Sequence, residues 1–267
     1  MSASVKAYIV NLARSTERRA HMVRELRKAG IDHEFVEGVE GRDLDLSDTN
    51  IVYPTWEGRS PFRPGVVGCM LSHLKVHRII LDSGAERALV LEDDVILPKD
   101  MNALVEAVSA HMTGAEVVLL QYFSCGSGER GETYRLHRQD SIQLSFSKVL
   151  AFPADINDLG GTGAYLITRE ACQRMATAML PVRVPADQWS FFCNKGALER
   201  VRCVAPIPVQ INSAFRTTID HYDTGTLQTR VRETAIRIPL LSQALTIRRR
   251  RIMKRKTQVE LVDDPLS

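Results

Sequence analysis

No C-x-x-C pair occurs in the sequence. Its five cysteines, Cys69, Cys125, Cys172, Cys193 and Cys203, are scattered, which excludes a zinc knuckle or dithiol redox motif and leaves buried free thiols as the expectation. Long apolar runs are missing too. The opening MSASVKAYIVNLARS offers only Ala7 to Val10, too short for a signal-peptide core or a membrane span, and the ending DDPLS is no retention signal, so a cytoplasmic protein is expected. There is no internal repeat and no phosphate loop of the G-x-x-x-x-G-K-[ST] type, which argues against a P-loop phosphoryl-transfer enzyme. A net charge of +3 over 267 residues gives no case for a nucleic acid partner.

What is present suits a packed α/β protein. Hydrophobic residues make up 44% of the chain, ample for one large domain or two small ones. The strand KAYIVNL is followed by a helix predicted from Ser15 to Ala29, with Ser15 as its start and Gly30 as its stop, and then by the strand HEFVEGV. Strand, helix, strand is the opening of a nucleotide-binding α/β sheet. Residues Gly41 to Gly65, with three prolines and the aromatics Tyr53, Trp56 and Phe62, predict a long functional loop.

Further on, VGCMLSHLKVHRIILDSG has helical apolar spacing and a stop at Gly84, and Met101 to Met112 predicts another helix before the strand EVVLLQY. After a polar, Gly-rich stretch, GAYLIT predicts a short strand, Arg169 to Met179 a helix, and VPADQWSFFCNKG a helix from Ala186. VRCVAPIPVQ reads as a final edge strand, since Pro206 and Pro208 argue against a central one. Near the end, a helix with Ile238, Leu240, Leu241 and Leu245 leads into Arg248 to Lys256, where seven of nine residues are Lys or Arg. This is either a solvated helix end or a basic amphipathic surface for anionic lipid headgroups; without interleaved aromatics it does not resemble a nucleic-acid tail.

The segment LVLEDDVILP raises a sharper question, because Asp is depleted in strands and a buried, unpaired carboxylate is costly. Strand alternation would send Glu92 and Asp94 to one side and Asp93 to the other. Two converging carboxylates suit a hard divalent cation, Mg²⁺ or Mn²⁺, and the carboxyl end of a strand is where open α/β sheets bind ligands. The alternative is that the strand has already ended and the acids are solvated or cap the next helix. His73 and His77, at i and i+4, lack the glutamate of H-E-x-x-H, so a zinc reading of that pair is the weaker one and His77 is expected to be structural.

Four blocks taken together, YIVNLARSTERRAHM, VVGCMLSHLKVHRIIL, LVLEDDVILP and GTGAYLITREACQRM, resemble glycosyltransferase family 25 in order and spacing across roughly residues 6 to 220. That family comprises bacterial lipopolysaccharide glycosyltransferases and collagen galactosyltransferase relatives. The resemblance implies a GT-A fold over residues 1–230, a Rossmann-like mixed sheet flanked by helices, with 231–267 as a basic helical extension. It implies that the acidic triplet holds a divalent metal, usually Mn²⁺, against the diphosphate of a sugar nucleotide such as UDP-galactose, with Asp94 as the direct ligand and Glu92 and Asp93 on metal, ribose or sugar hydroxyls.

By the same resemblance Asn11 and Leu12 sit where the nucleotide binds, Arg14 and Arg18 act as a pair on one helical face, and Ser72 and His73 lie near the donor. Gly161, Gly163, Ala164 and Tyr165 line the donor-sugar and acceptor cleft. An inverting displacement needs a base, for which Asp187 is the candidate beside Trp189, whose face would pack on the acceptor sugar; Asp155 and Asp158 compete, and the alternative for Asp187 is a cap on its helix. His221 is a candidate to complete the metal shell, although the sequence there departs from the family's ending. The implied acceptor is a lipid-linked oligosaccharide core at the inner face of the cytoplasmic membrane, with peripheral contact through Arg248 to Lys256.

Overall fold

The computed structural model describes residues 5–45, 64–125, 134–145, 147–215 and 258–263. The elements run β1 (Lys6–Asn11), α1 (Thr16–Ala29), β2 (His33–Glu37), α2 (Pro64–Ser83), β3 (Arg87–Glu92), β4 (Val95–Ile96), α3 (Met101–Ser109) and β5 (Glu116–Ser124). They continue with β6 (Tyr134–His137), β7 (Ile142–Gln143), β8 (Val149–Ala151), β9 (Leu159–Thr168), α4 (Arg169–Ala178), α5 (Trp189–Asn194), β10 (Arg200–Ala205), β11 (Gln210–Ile211) and β12 (Val259–Val262). Helix α1 ends as its sequence suggests: Gly30 takes a left-handed φ of 64° and its N–H returns to the Leu26 carbonyl.

Eight strands form one mixed sheet in the order β2-β1-β3-β9-β5-β10-β8-β7. β1 runs parallel to β2 and β3, and β10 parallel to β5, while β9 is antiparallel to both of its neighbours. Both faces are covered. Met22 and Leu26 of α1 and Leu104 and Val108 of α3 pack on one face, and Val76 and Ile80 of α2 and Met175 of α4 on the other. This is the α/β architecture with a helix-flanked mixed sheet that the alternation of elements predicts.

Four expectations are corrected. GAYLIT is the end of a ten-residue strand, β9, which starts at Leu159, is buried throughout and fills the centre of the sheet. β10 is an interior strand between β5 and β8, because it ends at Ala205 and both prolines fall after it. Residues 259–262, placed in a helical extension by the sequence, are a strand that pairs in parallel with β6. The helix expected from Ala186 starts at Trp189. Most of the 41–65 loop, His221 and Arg248 to Lys256 lie outside the described residues.

At the far end of β5 lies a buried ion pair that the sequence did not single out. Glu116 is fully buried; it accepts a 2.5 Å hydrogen bond from Arg202 Nε on β10 and a 2.9 Å bond from the Thr113 N–H. Arg202 also donates to the His111 carbonyl at 2.7 Å.

Candidate active site

Strands β1 and β3 run side by side in parallel, with Val10 opposite Glu92, so they deliver their carboxyl ends to the same edge of the sheet. Alternation along β3 sends Ala88 and Val90 toward α2 and Leu89 and Leu91 to the other face. Glu92 therefore falls on the α2 side. There it accepts from the Thr162 hydroxyl at 2.5 Å and lies 3.8 Å from His73 Nε2. Burial pushes the Glu92 carboxyl up, and His73, Thr162 and Arg18 outweigh that and hold it below its usual value.

The strand stops at Glu92, and Asp93 and Asp94 form a turn before β4. Alternation therefore does not reach Asp94, and the expected pairing of Glu92 with Asp94 is not what forms. Instead Asp93 and Asp94 share a cation: Arg18 Nη1 is 2.6 Å from Asp93 and 3.4 Å from Asp94. Asn11 donates its amide to Asp93 at 2.8 Å and to the Ser15 carbonyl at 3.2 Å. With exposures of 7% and 8%, the two aspartates are neither solvated nor spent on a helix start. Asn11 acts as a strut for the acidic turn, its amide N–H groups committed to Asp93 and the Ser15 carbonyl.

Arg14 and Arg18 do not share a helical face, because Arg14 lies in the turn before α1. Its guanidinium pairs with Glu40, which holds the Glu40 carboxyl below its usual range. Leu12, Arg14 and Arg18 line a cleft together with Cys69, Ser72, His73, Glu92 and Asp93. A groove of about 620 Å³ adjoins it, bordered by Leu12, Arg14, Glu37, Val39, Arg42 and Lys75. Ser72 braces the cleft, accepting from the Val39 N–H at 2.8 Å and donating to the Gly68 carbonyl at 2.6 Å. Gly68 permits the contact: a Cβ there would lie 2.7 Å from the Val39 carbonyl oxygen.

The block GGTGAY divides in two. Gly161, at φ +111°, donates its N–H to Asp187 at 3.0 Å, and Thr162 holds Glu92, so the start of β9 links two carboxylates. Ala164 and Tyr165 do not line the cleft; both are buried, on opposite faces of the sheet. Gly163 makes room for Gln121, whose Oε1 would be 2.6 Å from a Cβ. Trp189 is 1% exposed with its ring edge-on to Tyr165, so it is core and cannot be a platform for an acceptor sugar.

Asp187 is half-buried, and α5 takes Gln188 as its N-cap, so the carboxylate of Asp187 is directed to β9. The competing acids have structural partners. Asp155 caps a short turn through the Asn157 N–H, and Asp158 accepts from Ser124 at 2.6 Å. Cys69 and Thr162 were missed by the sequence reading, although Cys69 stands one helical turn before His73.

His77 is structural, as expected. It is fully buried, and its Nε2 lies 3.0 Å from the Tyr165 hydroxyl, which also contacts His73 Nδ1 at 2.8 Å. Burial, with His73 adding to it, pushes the imidazole down to about 3 from its ordinary 6.5. Because the folded value lies below the unfolded one, the unfolded chain takes up this proton first. The stabilisation is complete above pH 6.5 and is lost as pH falls toward 3, amounting to about 3 kcal/mol at pH 4.5. Urea denaturation of wild type and His77→Gln at pH 7 and 4.5 checks this. The variant should lose less stability on acidification by about that amount, and equal losses would refute the assignment.

Comparison with known proteins places these features. Residues 4–190, well over half of the chain, match the profile of glycosyltransferase family 25 (LPS biosynthesis protein). Procollagen galactosyltransferase 2 of Mus musculus is 37% identical over 95 residues, 33% of this chain and 15% of that protein. A procollagen lysyl hydroxylase and glycosyltransferase of Acanthamoeba polyphaga mimivirus is 25% identical over 201 residues, 69% of this chain and 21% of that protein. A probable inactive glycosyltransferase 25 family member 3 of Rattus norvegicus is 32% identical over 98 residues, 34% of this chain and 17% of that protein. The chain thus spans at most about a fifth of the length of these relatives. The match over residues 4–190 includes the acidic turn, the β1–α1 turn, the wall of α2 and the strand that links Glu92 to Asp187, and the chain belongs to glycosyltransferase family 25.

Proposed function

We propose that the protein is a metal-dependent, inverting glycosyltransferase of the GT-A type, which transfers a sugar, galactose from UDP-galactose, to a lipopolysaccharide or lipooligosaccharide core. The observation that carries this reading is the acidic turn at the carboxyl end of β3. Glu92 ends the strand and Asp93 and Asp94 follow it in the turn, with Arg18 against both aspartates. Carboxylate oxygens at the end of a sheet strand suit a hard divalent cation bound together with a diphosphate.

In this reading Asp94, with His221, holds Mn²⁺ or Mg²⁺, which when bound neutralises charge on the departing diphosphate as a Lewis acid. Arg18 and Asn11 fix the turn that carries Asp94. Arg14, at the rim, exchanges Glu40 for a phosphate oxygen, and the groove beside Leu12 and Lys75 takes the nucleoside. Asp187, with one oxygen oriented by the Gly161 N–H, accepts the proton of the acceptor hydroxyl. The hydroxyl oxygen bonds to the sugar C1 as the bond from C1 to the diphosphate breaks, and the configuration inverts. The basic run Arg248 to Lys256 contacts anionic headgroups at the inner membrane face, each residue adding about 1 kcal/mol. Among the described residues no helix is long and apolar enough to cross a membrane.

The test is release of UDP from UDP-galactose with Mn²⁺ and with EDTA, alongside thermal shifts for a panel of sugar nucleotides. Metal-dependent release supports the proposal. Stabilisation without turnover by any donor would instead assign a sugar-nucleotide-binding, inactive homologue, and neither response to any donor would overturn both.

A further inference from the structure

We propose that Cys69, His73 and Glu92 form a site for one borderline-soft divalent cation, Zn²⁺ by its chemistry, on the wall of the cleft. The proposal stands on the geometry of these side chains and does not rest on the glycosyl-transfer reading. Cys69 and His73 are four residues apart on α2 and so share a face, and β3 delivers Glu92 opposite them. One ligand atom from each, Sγ, an imidazole nitrogen and a carboxylate oxygen, lies within 4.8 Å of the other two. Among the described residues no other trio of His, Cys, Asp and Glu gathers this way, and the acids Glu92, Asp93 and Asp94 do not.

The donor set selects the metal. One thiolate, one imidazole and one carboxylate make three protein ligands with a fourth position open, the usual arrangement of a zinc site that keeps a place for water or substrate. Thiolate favours zinc over the hard cations that the neighbouring aspartates would take. His73 supplies an independent sign of a missing ligand: it is 1% exposed, and its Nε2 is buried without a hydrogen-bond partner, 3.8 Å from Glu92.

The surroundings hold the ligands in place. His73 Nδ1 lies 2.8 Å from the Tyr165 hydroxyl, which lies 3.0 Å from His77 Nε2, so the hydroxyl orients both rings; the metal site requires the His73 proton on Nδ1, which turns the Nε2 lone pair to the cleft. Thr162 fixes Glu92 from the other side. Burial, with the Glu92 and Asp187 charges adding to it, pushes the Cys69 thiol well up. A bound divalent cation reverses that, so binding releases the thiol proton to solvent and tightens as pH rises. The cleft that these residues line also holds Arg18 and Asp93 and gives the ion a way in.

Co²⁺ is the probe, because a thiolate ligand gives it a charge-transfer band. Metal-free protein titrated with Co²⁺ should develop that band together with tetrahedral d–d absorption, saturating at about one equivalent and disappearing when Zn²⁺ is added. Cys69→Ser should abolish the charge-transfer band, Cys193→Ser should keep it, and His73→Gln should weaken binding by at least about 100-fold, the upper end for loss of an outer-shell partner. No band in the folded wild-type protein would overturn the proposal. So would a band that survives Cys69→Ser, or undiminished Co²⁺ affinity in His73→Gln.

Discussion

Asp94→Asn is expected to lower turnover of the sugar nucleotide by about 100- to 1000-fold while the protein stays folded. The size follows from the loss of charge stabilisation on the leaving diphosphate, which in a shielded site is worth about 3–4 kcal/mol. The fold survives because Arg18 retains its 2.6 Å pair with Asp93, the closer of its two aspartates, and the Asp94 carbonyl still accepts from the Asn212 N–H at 2.7 Å. UDP release and urea denaturation, measured on the same preparation, separate the two effects. Turnover within about threefold of wild type, about 0.6 kcal/mol, would remove Asp94 from the metal shell.

Glu116→Ala is expected to destabilise the protein by about 3–5 kcal/mol, because it leaves a guanidinium buried without its carboxylate. Arg202 is 5% exposed and cannot turn to water without displacing the β5–β10 edge. The Thr113 N–H also loses its acceptor. Replacing both charges, as in Glu116→Leu with Arg202→Met, should cost much less than the single change, since no charge is then left behind. Chemical denaturation of the single and double variants decides. A single variant within about 1 kcal/mol of wild type would show that Arg202 finds another partner.

The helices were legible because apolar spacing and a following glycine or polar turn mark them without reference to the rest of the chain, as in α1 with Gly30 and α2 with Gly84. The strands were less so. The glycines before Ala164 have low strand propensity, yet β9 runs through them, because burial on both faces and room for Gln121 outweigh that preference. At β10 the residues were read correctly as a strand, but the prolines were counted as part of it.

At the site, Asp93, Arg18, Glu92 and His73 were all identified from sequence, and the structure brings them together. Their partners were not legible. The pairing of Arg18 with Asp93, and of Glu92 with Thr162 and His73, depends on β3 ending at Glu92 and on β9 lying next to it. Local sequence fixes neither. Trp189 and Tyr165 show the converse: Trp189 looks like a platform for a sugar and Tyr165 like a cleft residue, whereas burial makes both core.

The pairing of β12 with β6 has a consequence for the order of assembly. Arg135 and Glu260, an ion pair across these strands, are 125 residues apart in the chain. Residues made first can fold first during synthesis, and β1, α1, α2 and β3, which carry the cleft, all precede β6 in the chain. Closing so long a loop costs entropy that only the finished partner strand can offset. The sheet bearing the cleft can therefore form while β6 still presents an unpaired edge, and the arrival of Val259–Val262 is the late step that covers it.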